Sequence, residues 1–259
     1  MKDKLSIIKI GGNVVNSPTE MDLFLKDFAA LEGYKILVHG GGKIASEVTA
    51  SMGLEPKMSG GRRITDEQTL DVVTMVYAGL LNKKIVSKLQ GFDCNAIGLS
   101  GADGDSIRAH KRVVKDLDYG FAGDVDAVSS GMIESLLRSR LSPVFCAITH
   151  DKQGQLLNTN ADTIASELAK GLSDDFEVEL LYCFEKDGVL EDVENEDSVV
   201  EHIDARKYEQ MKANGQIAEG MLPKLKNCFE ALEKGVSRVV IGSPSLLKDP
   251  QRKHTTLTL

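Results

Sequence analysis

Lys35-Ile36-Leu37-Val38-His39-Gly40-Gly41-Gly42-Lys43 is the stretch on which the reading of the fold turns. A short apolar run stops at three glycines, and an amphipathic stretch from about 43 to 52 follows. That is the pattern of a buried strand feeding a helix. Leu5-Ser6-Ile7-Ile8-Lys9-Ile10-Gly11-Gly12-Asn13 has the same form upstream. Between the two, residues 19–31 put Met21, Phe24, Leu25 and Phe28 on one helical face. Downstream, Thr65-Asp66-Glu67-Gln68 has the form of a capping box with Thr65 as N-cap. It opens a long helix with apolar positions Leu70, Val73, Tyr77, Leu81, Ile85 and Leu89. Ala96–Leu99 reads as a strand.

Working outward, the alternation continues to the end of the chain. The Gly- and Asp-rich stretch 101–128 interrupts it, and its short apolar pieces 112–114 and 125–128 suggest hairpins. A helix at 130–140, a strand at 144–148, a helix at 160–170 and a strand at 178–183 follow. Residues 185–197 are irregular, acidic and expected at the surface. Helices at about 204–213 and 222–234 precede a strand at 236–241. This rhythm predicts an α/β fold: an open αβα sandwich around a mainly parallel sheet, with helices on both faces. No repeat and no Pro- or Ser-rich linker divides the chain, so any two halves share one continuous sheet.

The 259 residues are 42% hydrophobic, ample for a core without staples. Lys plus Arg is 31 against 39 Asp plus Glu, a net charge of −8, which argues against nucleic-acid or anionic-membrane partners. No apolar stretch reaches membrane-spanning length, and the N-terminus carries no secretory signal. Cys94, Cys146, Cys183 and Cys228 are far apart and form no CxxC pair. Neither they nor the histidines show ligand spacing, so no protein-held metal centre is expected. A reducing cytoplasm is the expected compartment.

Five motifs carry the chemistry. Lys9-Ile10-Gly11-Gly12 and Gly40-Gly41-Gly42 sit at strand-to-helix turns, where backbone N–H groups can cradle an anion or simply make a tight turn. Gly40, Gly42 and Ala45 also satisfy the GxGxxG/A dinucleotide fingerprint, though in the second βα unit and not the first. Gly61-Arg62-Arg63 offers guanidinium for a carboxylate, or a solvated basic loop. Asn158-Thr159-Asn160-Ala161-Asp162 opens a helix, with Asn160 its natural cap. Gly220-Met221-Leu222-Pro223-Lys224 puts a lysine at a helix N-terminus, where the dipole disfavours a cation unless an anion binds.

In this order and spacing, Lys9-x-Gly11-Gly12, Gly40-Gly41-Gly42, Gly61-x-Arg63-x-Thr65, Asn158-x-Asn160-Ala161-Asp162 and Gly220-Met221-x-x-Lys224 resemble the amino acid kinase family from about residue 5 to 242. Gly98-Leu99-Ser100-Gly101-x-Asp103-Gly104 matches the family as well. The likeness is strongest to members that use ATP to phosphorylate the γ-carboxylate of N-acetyl-L-glutamate in arginine biosynthesis. It implies an N-terminal lobe (about 1–172) for the acyl-glutamate and dimerisation, and a C-terminal lobe (about 173–259) for ATP. It implies Lys9 and Lys224 on the phosphates, with Asp162 holding both. Gly11, Gly12, Gly41 and Gly42 would donate to the γ-phosphoryl oxygens. Arg63 and Asn158, with Gly41 and Gly42, would bind the substrate, and Glu185, Gly188, Gly220, Met221 and Lys224 the nucleotide. Mg²⁺ would bridge the ATP phosphates with few or no protein ligands. The residue types agree with this chemistry, because the acceptor carboxylate is ionised at pH 7 and needs no general base. His39 is therefore expected to be a buried structural histidine.

The chain departs from the family at Glu185, which stands where an Asp is usual, and at residues 253–257, which lack the usual Gly before Thr. Only eight residues precede Lys9, so the N-terminal helix of arginine-inhibited members is absent. That predicts a homodimer without arginine feedback. Sister kinases of aspartate, glutamate, carbamate or UMP are rivals. So is an N-succinyl acceptor, for which Arg62, Arg108, Lys111 or Arg112 would have to face inward and residues 101–128 form the wall. An NAD-dependent dehydrogenase leaves Lys9, Asp162 and Lys224 unexplained, and a non-catalytic nucleotide sensor leaves the filled catalytic positions without a use.

Overall fold

The computed structural model describes residues 2–192, 194–217 and 221–259. Strand β1 (Asp3–Ile10) is followed by a short helix α1 (Gly12–Asn16), α2 (Pro18–Ala30), β2 (Tyr34–His39) and α3 (Gly42–Ser51). The two-residue strands β3 (Met58–Ser59) and β4 (Arg62–Arg63) lead to α4 (Glu67–Thr74), a π-helical segment (Met75–Leu81) and α5 (Asn82–Gly91). Then come β5 (Ala96–Leu99), β6 (Ile107–Lys111), β7 (Ala122–Val128), α6 (Ser130–Arg138), β8 (Ser142–Phe145), β9 (Ile148–His150), β10 (Leu156–Thr159) and α7 (Ala161–Leu172). The chain ends with β11 (Phe176–Cys183), β12 (His202–Ile203), α8 (Ala205–Ala213), α9 (Leu222–Glu233), β13 (Arg238–Gly242) and β14 (Thr255–Leu257).

Eight strands form one sheet in the order β12-β14-β13-β11-β1-β2-β8-β5, and its pairs are parallel except β13–β14. The expected continuous sheet is therefore present, and it spans both halves. Central β1 is buried from Ile7 to Ile10, as a strand covered on both faces must be. Lys9 and Tyr182, in register, face α7, while Ser6, Ile8 and Leu181 face the end of α2 at Leu31. Chain order runs outward from β1 in both directions, toward β2 and toward β11. Such a switch point leaves a crevice beyond the carboxyl ends of the strands.

The sequence-based boundaries need four corrections. Asp66, not Thr65, caps α4, its carboxylate accepting from the Thr69 N–H at 2.8 Å. Thr65 is withdrawn into the core, and its hydroxyl donates to the Arg63 carbonyl at 3.1 Å. The long helix after it is not uniform but widens over Met75–Leu81. Val73, Tyr77, Leu81, Ile85 and Leu89 advance in steps of four, and each step overshoots an α-helical turn by about 40°. A wider i→i+5 segment takes up that drift and keeps all five on the core. Third, the apolar run 144–148 is two strands. The chain leaves the main sheet at Cys146–Ala147 and enters a small closed barrel, β10-β7-β6-β9. Fourth, the first half of the expected hairpin lies at 107–111, not 112–114, and pairs antiparallel with β7. In the 185–197 stretch, the described acidic residues are exposed except Asp187, which pairs with Arg252 at 3.1 Å. No described helix is long and apolar enough to cross a membrane.

Candidate active site

Three strand ends and two helix starts converge on the crevice. β1 delivers Lys9, whose Nζ lies 2.6 Å from Asp162 Oδ1. Asp162 stands in the first turn of α7, and Asn160 fixes that turn. Its side-chain oxygen accepts from the N–H groups of Asp162 at 2.7 Å and Thr163 at 3.2 Å, as a cap should. Tyr182, in register with Lys9, donates its hydroxyl to the Asp162 carbonyl at 3.1 Å. The backbone of Asp162 is thus held from the sheet side and the helix side.

Lys224 enters from the first turn of α9. Burial lowers its pKa, and the neighbouring Lys9 lowers it further while Asp162 opposes both. Asp162 is ion-paired with Lys9 and lies within electrostatic reach of Lys224, so two lysines face one carboxylate, a local excess of positive charge suited to phosphate oxygens. The Phe184 ring, one residue beyond β11, lies 4.1 Å from Lys224 Nζ and 6.0 Å from Lys9 Nζ. Sequence reasoning missed Phe184. Its signal was position: an aromatic immediately after a strand that ends beside the lysines.

The glycines shape the floor. Gly41 has φ +155°, and a Cβ there would come within 2.3 Å of Leu81 Cδ1 and 3.2 Å of the Tyr77 ring. Only glycine lets the loop lie this close to the π-helical segment. Gly11 caps the short helix α1, and a Cβ on it would approach Lys9 Nζ at 3.9 Å. His39 is fully buried behind the loop, in contact through Nδ1 with the Gly40 carbonyl (2.9 Å) and through Nε2 with Asn82 Nδ2 (3.2 Å). Burial pushes its pKa down to about 4, so it is a neutral support for the loop.

Arg63 is buried and donates through Nη2 to the Gly42 carbonyl and to Ser46 Oγ, both at 2.8 Å. Its Nη1 is buried without a hydrogen-bond partner, a donor available to an anion. Asn158 Nδ2 donates to Thr65 Oγ1 at 3.0 Å.

Two cavities meet at Lys9, Gly11 and Gly12. One, of about 240 Å³, runs past Gly40–Gly42 to Arg62, Arg63, Tyr77, Asn158 and Asp162. The other, of about 380 Å³, runs past Phe184 and Glu185 to Lys224. A further hollow of about 330 Å³ continues from Phe184, Glu185 and Lys224 to Gly188 and Met221. The structure therefore brings together Lys9, Gly11, Gly12, Gly41, Gly42, Arg63, Asn158, Asp162, Glu185, Gly188, Met221 and Lys224. Gly220 lies outside the described residues. Of the stretch 101–128, Ala122 lines the first cavity. Arg108, Lys111 and Arg112 are instead paired with Asp105, Asp118 and Asp124. Gly40, Gly41 and Gly42 open onto the cavity that Arg63 lines.

Comparison with known proteins agrees with this geometry. The model of the amino acid kinase family matches residues 4–243. An acetylglutamate kinase from Phocaeicola vulgatus is 53% identical over 249 residues, covering 96% of this chain and 97% of that protein. One from Cytophaga hutchinsonii is 53% identical over 255 residues, covering 98% of this chain and 97% of its own. Among solved structures, an N-acetylglutamate synthase from Neisseria gonorrhoeae shares the fold with a TM-score of 0.82 at 21% identity, over 99% of this chain and 59% of that one. A family match across nearly the whole chain, with relatives above half identity, leaves one assignment: this protein belongs to the amino acid kinase family.

Proposed function

We propose that the chain transfers the γ-phosphoryl group of ATP to the γ-carboxylate of N-acetyl-L-glutamate, the second step of arginine biosynthesis. The observation that carries this is the meeting of two cavities at Lys9, Gly11 and Gly12, with a carboxylate-binding arginine in one and Lys224 in the other. Its relatives named acetylglutamate kinase support the acceptor.

The acyl-glutamate lies in the first cavity with its α-carboxylate on the free Nη1 of Arg63, beside Asn158. ATP lies along Lys224, Glu185, Gly188, Met221 and the Gly220 segment. The γ-carboxylate, already ionised, attacks the γ-phosphorus in line. A C–O–P linkage forms as the bond to the β-bridging oxygen breaks, and the electron pair leaves on ADP. Charge builds on the equatorial oxygens in this transfer. Lys9, Lys224 and the N–H groups of Gly11, Gly12, Gly41 and Gly42 meet that charge, and Asp162 keeps both lysines in place. No proton need be moved, and no histidine is among the described residues lining either cavity.

Mg²⁺ takes its oxygens chiefly from nucleotide phosphates and one or two carboxylates. That donor set fits a site bordered by Glu185 and Asp162, in which no three His, Cys, Asp or Glu side chains converge among the described residues. When bound, the ion neutralises phosphate charge. The same reading divides the chain into an acyl-glutamate lobe (about 1–172) and a nucleotide lobe (about 173–259) on one sheet. It makes the protein a cytoplasmic homodimer.

The test is an ATP-dependent hydroxamate assay, in which hydroxylamine traps the acyl phosphate. N-acetylglutamate gives product, and free glutamate and aspartate do not. Lys9→Ala lowers kcat by about 10²–10³-fold, the usual cost of one donor to developing charge. A variant that keeps half its turnover would overturn the assignment.

A further inference from the structure

The first cavity holds more positive charge than an N-acetylglutamate uses. That substrate has two carboxylates. One is the acceptor and faces the lysines, and the other is matched by Arg63. Arg62 remains. It lines the same cavity, half-buried, on the short strand β4. Its guanidinium lies within electrostatic reach of Arg112, Asp124, Tyr119 and Asp162. Among the described residues no carboxylate comes within 4 Å of it, unlike its basic neighbours. Arg108 is committed to Asp105 through Nε at 2.7 Å, and Lys111 to Asp118 at 3.3 Å. Arg112 donates through Nη1 to both oxygens of Asp124 at 2.7 and 3.0 Å, and its Nε is buried without a partner. The Asp124 carboxylate near Arg62 is thus already engaged by Arg112. Burial and the nearby Arg112 lower the pKa of Arg62, and Asp124, Tyr119 and Asp162 oppose them. The same cavity is lined by Ala122 and Ala147, whose side chains end at one methyl group.

We infer that Arg62 is a second carboxylate-binding group, and that the chain also phosphorylates glutamates whose N-acyl group ends in a carboxylate, the N-succinyl class. This rests on the acyl-glutamate reading given above. The acyl methylenes run along Ala122 and Ala147, and the terminal carboxylate reaches the Arg62 guanidinium. The transfer itself is unchanged: the same C–O–P linkage forms and ADP leaves.

The experiment compares kcat/KM for three acceptors: N-acetyl-L-glutamate, N-succinyl-L-glutamate and its neutral isostere N-succinamoyl-L-glutamate. The wild-type enzyme is expected to turn over the succinyl compound and prefer it to the isostere. Arg62→Ala lowers the succinyl-to-isostere ratio by about 10–100-fold, the range of one charge-assisted hydrogen bond, and Arg62→Lys restores part of it. A wild type that uses N-acetylglutamate but not N-succinylglutamate overturns the inference. So does an Arg62→Ala enzyme with an unchanged ratio, which would assign Arg62 to the α-carboxylate shared by all three. No product from any acceptor overturns the underlying reading instead.

Discussion

At the scale of single residues, the site works by disputed charge. Lys9 is paired with Asp162 at 2.6 Å, and Lys224 feels the same carboxylate only at longer range. Burial disfavours the charged form of Lys224, so it loses its proton at a lower pH than an ordinary lysine. Phosphoryl transfer needs that charge. The alkaline limb of the kcat/KM profile, which reports the free enzyme, is therefore expected below the ordinary lysine value of 10.5. Lys224→Arg moves the limb upward, because guanidinium stays charged. A limb that does not move would remove Lys224 from the reaction. His39 makes a different kind of prediction. Its folded pKa is depressed to about 4 from 6.5, so between those values the unfolded chain binds the extra proton. Its contribution is whole above pH 6.5 and is lost as pH falls toward 4, about 3 kcal/mol in all. Urea unfolding at the two pH values measures this loss, and His39→Asn shrinks it by about that amount. Equal losses in both proteins would contradict the neutral, buried assignment.

At the scale of elements, precision comes from helix starts and loop sterics. The cap of α7 serves two purposes, because Asn160 accepts from the N–H of Asp162 itself. Asn160→Ala is expected to cost about 1 kcal/mol in unfolding free energy. Turnover should fall as well, because the Asp162 backbone loses its anchor. Asp204 caps α8 in the same way, accepting from the Lys207 N–H at 2.7 Å, but far from the lysines. Asp204→Ala should cost similar stability and leave turnover as it is. If both variants were equally active, the cap would be structural only. The π-helical segment has its own geometric role. It brings Leu81 and Tyr77 against the loop at Gly41, so the widened turn and the glycine are complementary halves of one contact.

At the scale of the whole molecule, the crevice exists because one sheet carries both halves. Its walls are the carboxyl ends of β1, β2 and β11, and the small barrel supplies Asn158 and Ala122. The four cysteines are free and buried within this body. Burial pushes Cys146 and Cys183 up to about 12, so neither offers a thiolate near neutral pH. A thiol reagent at pH 8 should leave the native protein almost unlabelled and titrate all four after denaturation. Rapid labelling of even one native thiol would contradict this packing. The sequence by itself determined the strand-glycine-helix units, the parallel sheet and the Asn160 cap. Those depend on hydrophobic period and backbone chemistry, which neighbours in the chain settle. It also pointed to Lys9, Asp162 and Lys224, through the order and spacing of five motifs that resemble one family, since each motif alone has an ordinary structural use. It missed the barrel, the widened helix and Asp66 as the cap of α4. Phe184 went unseen beside the lysines, and so did which of four basic residues faces the cavity. Those are decided by contacts between segments far apart in the chain. Arg108 finds Asp105 only three residues away, but Lys111 reaches Asp118 once the loop after β6 has folded back and Arg112 reaches Asp124 once β6 and β7 have paired. Arg62 is left facing the cavity by a pairing that no local pattern encodes.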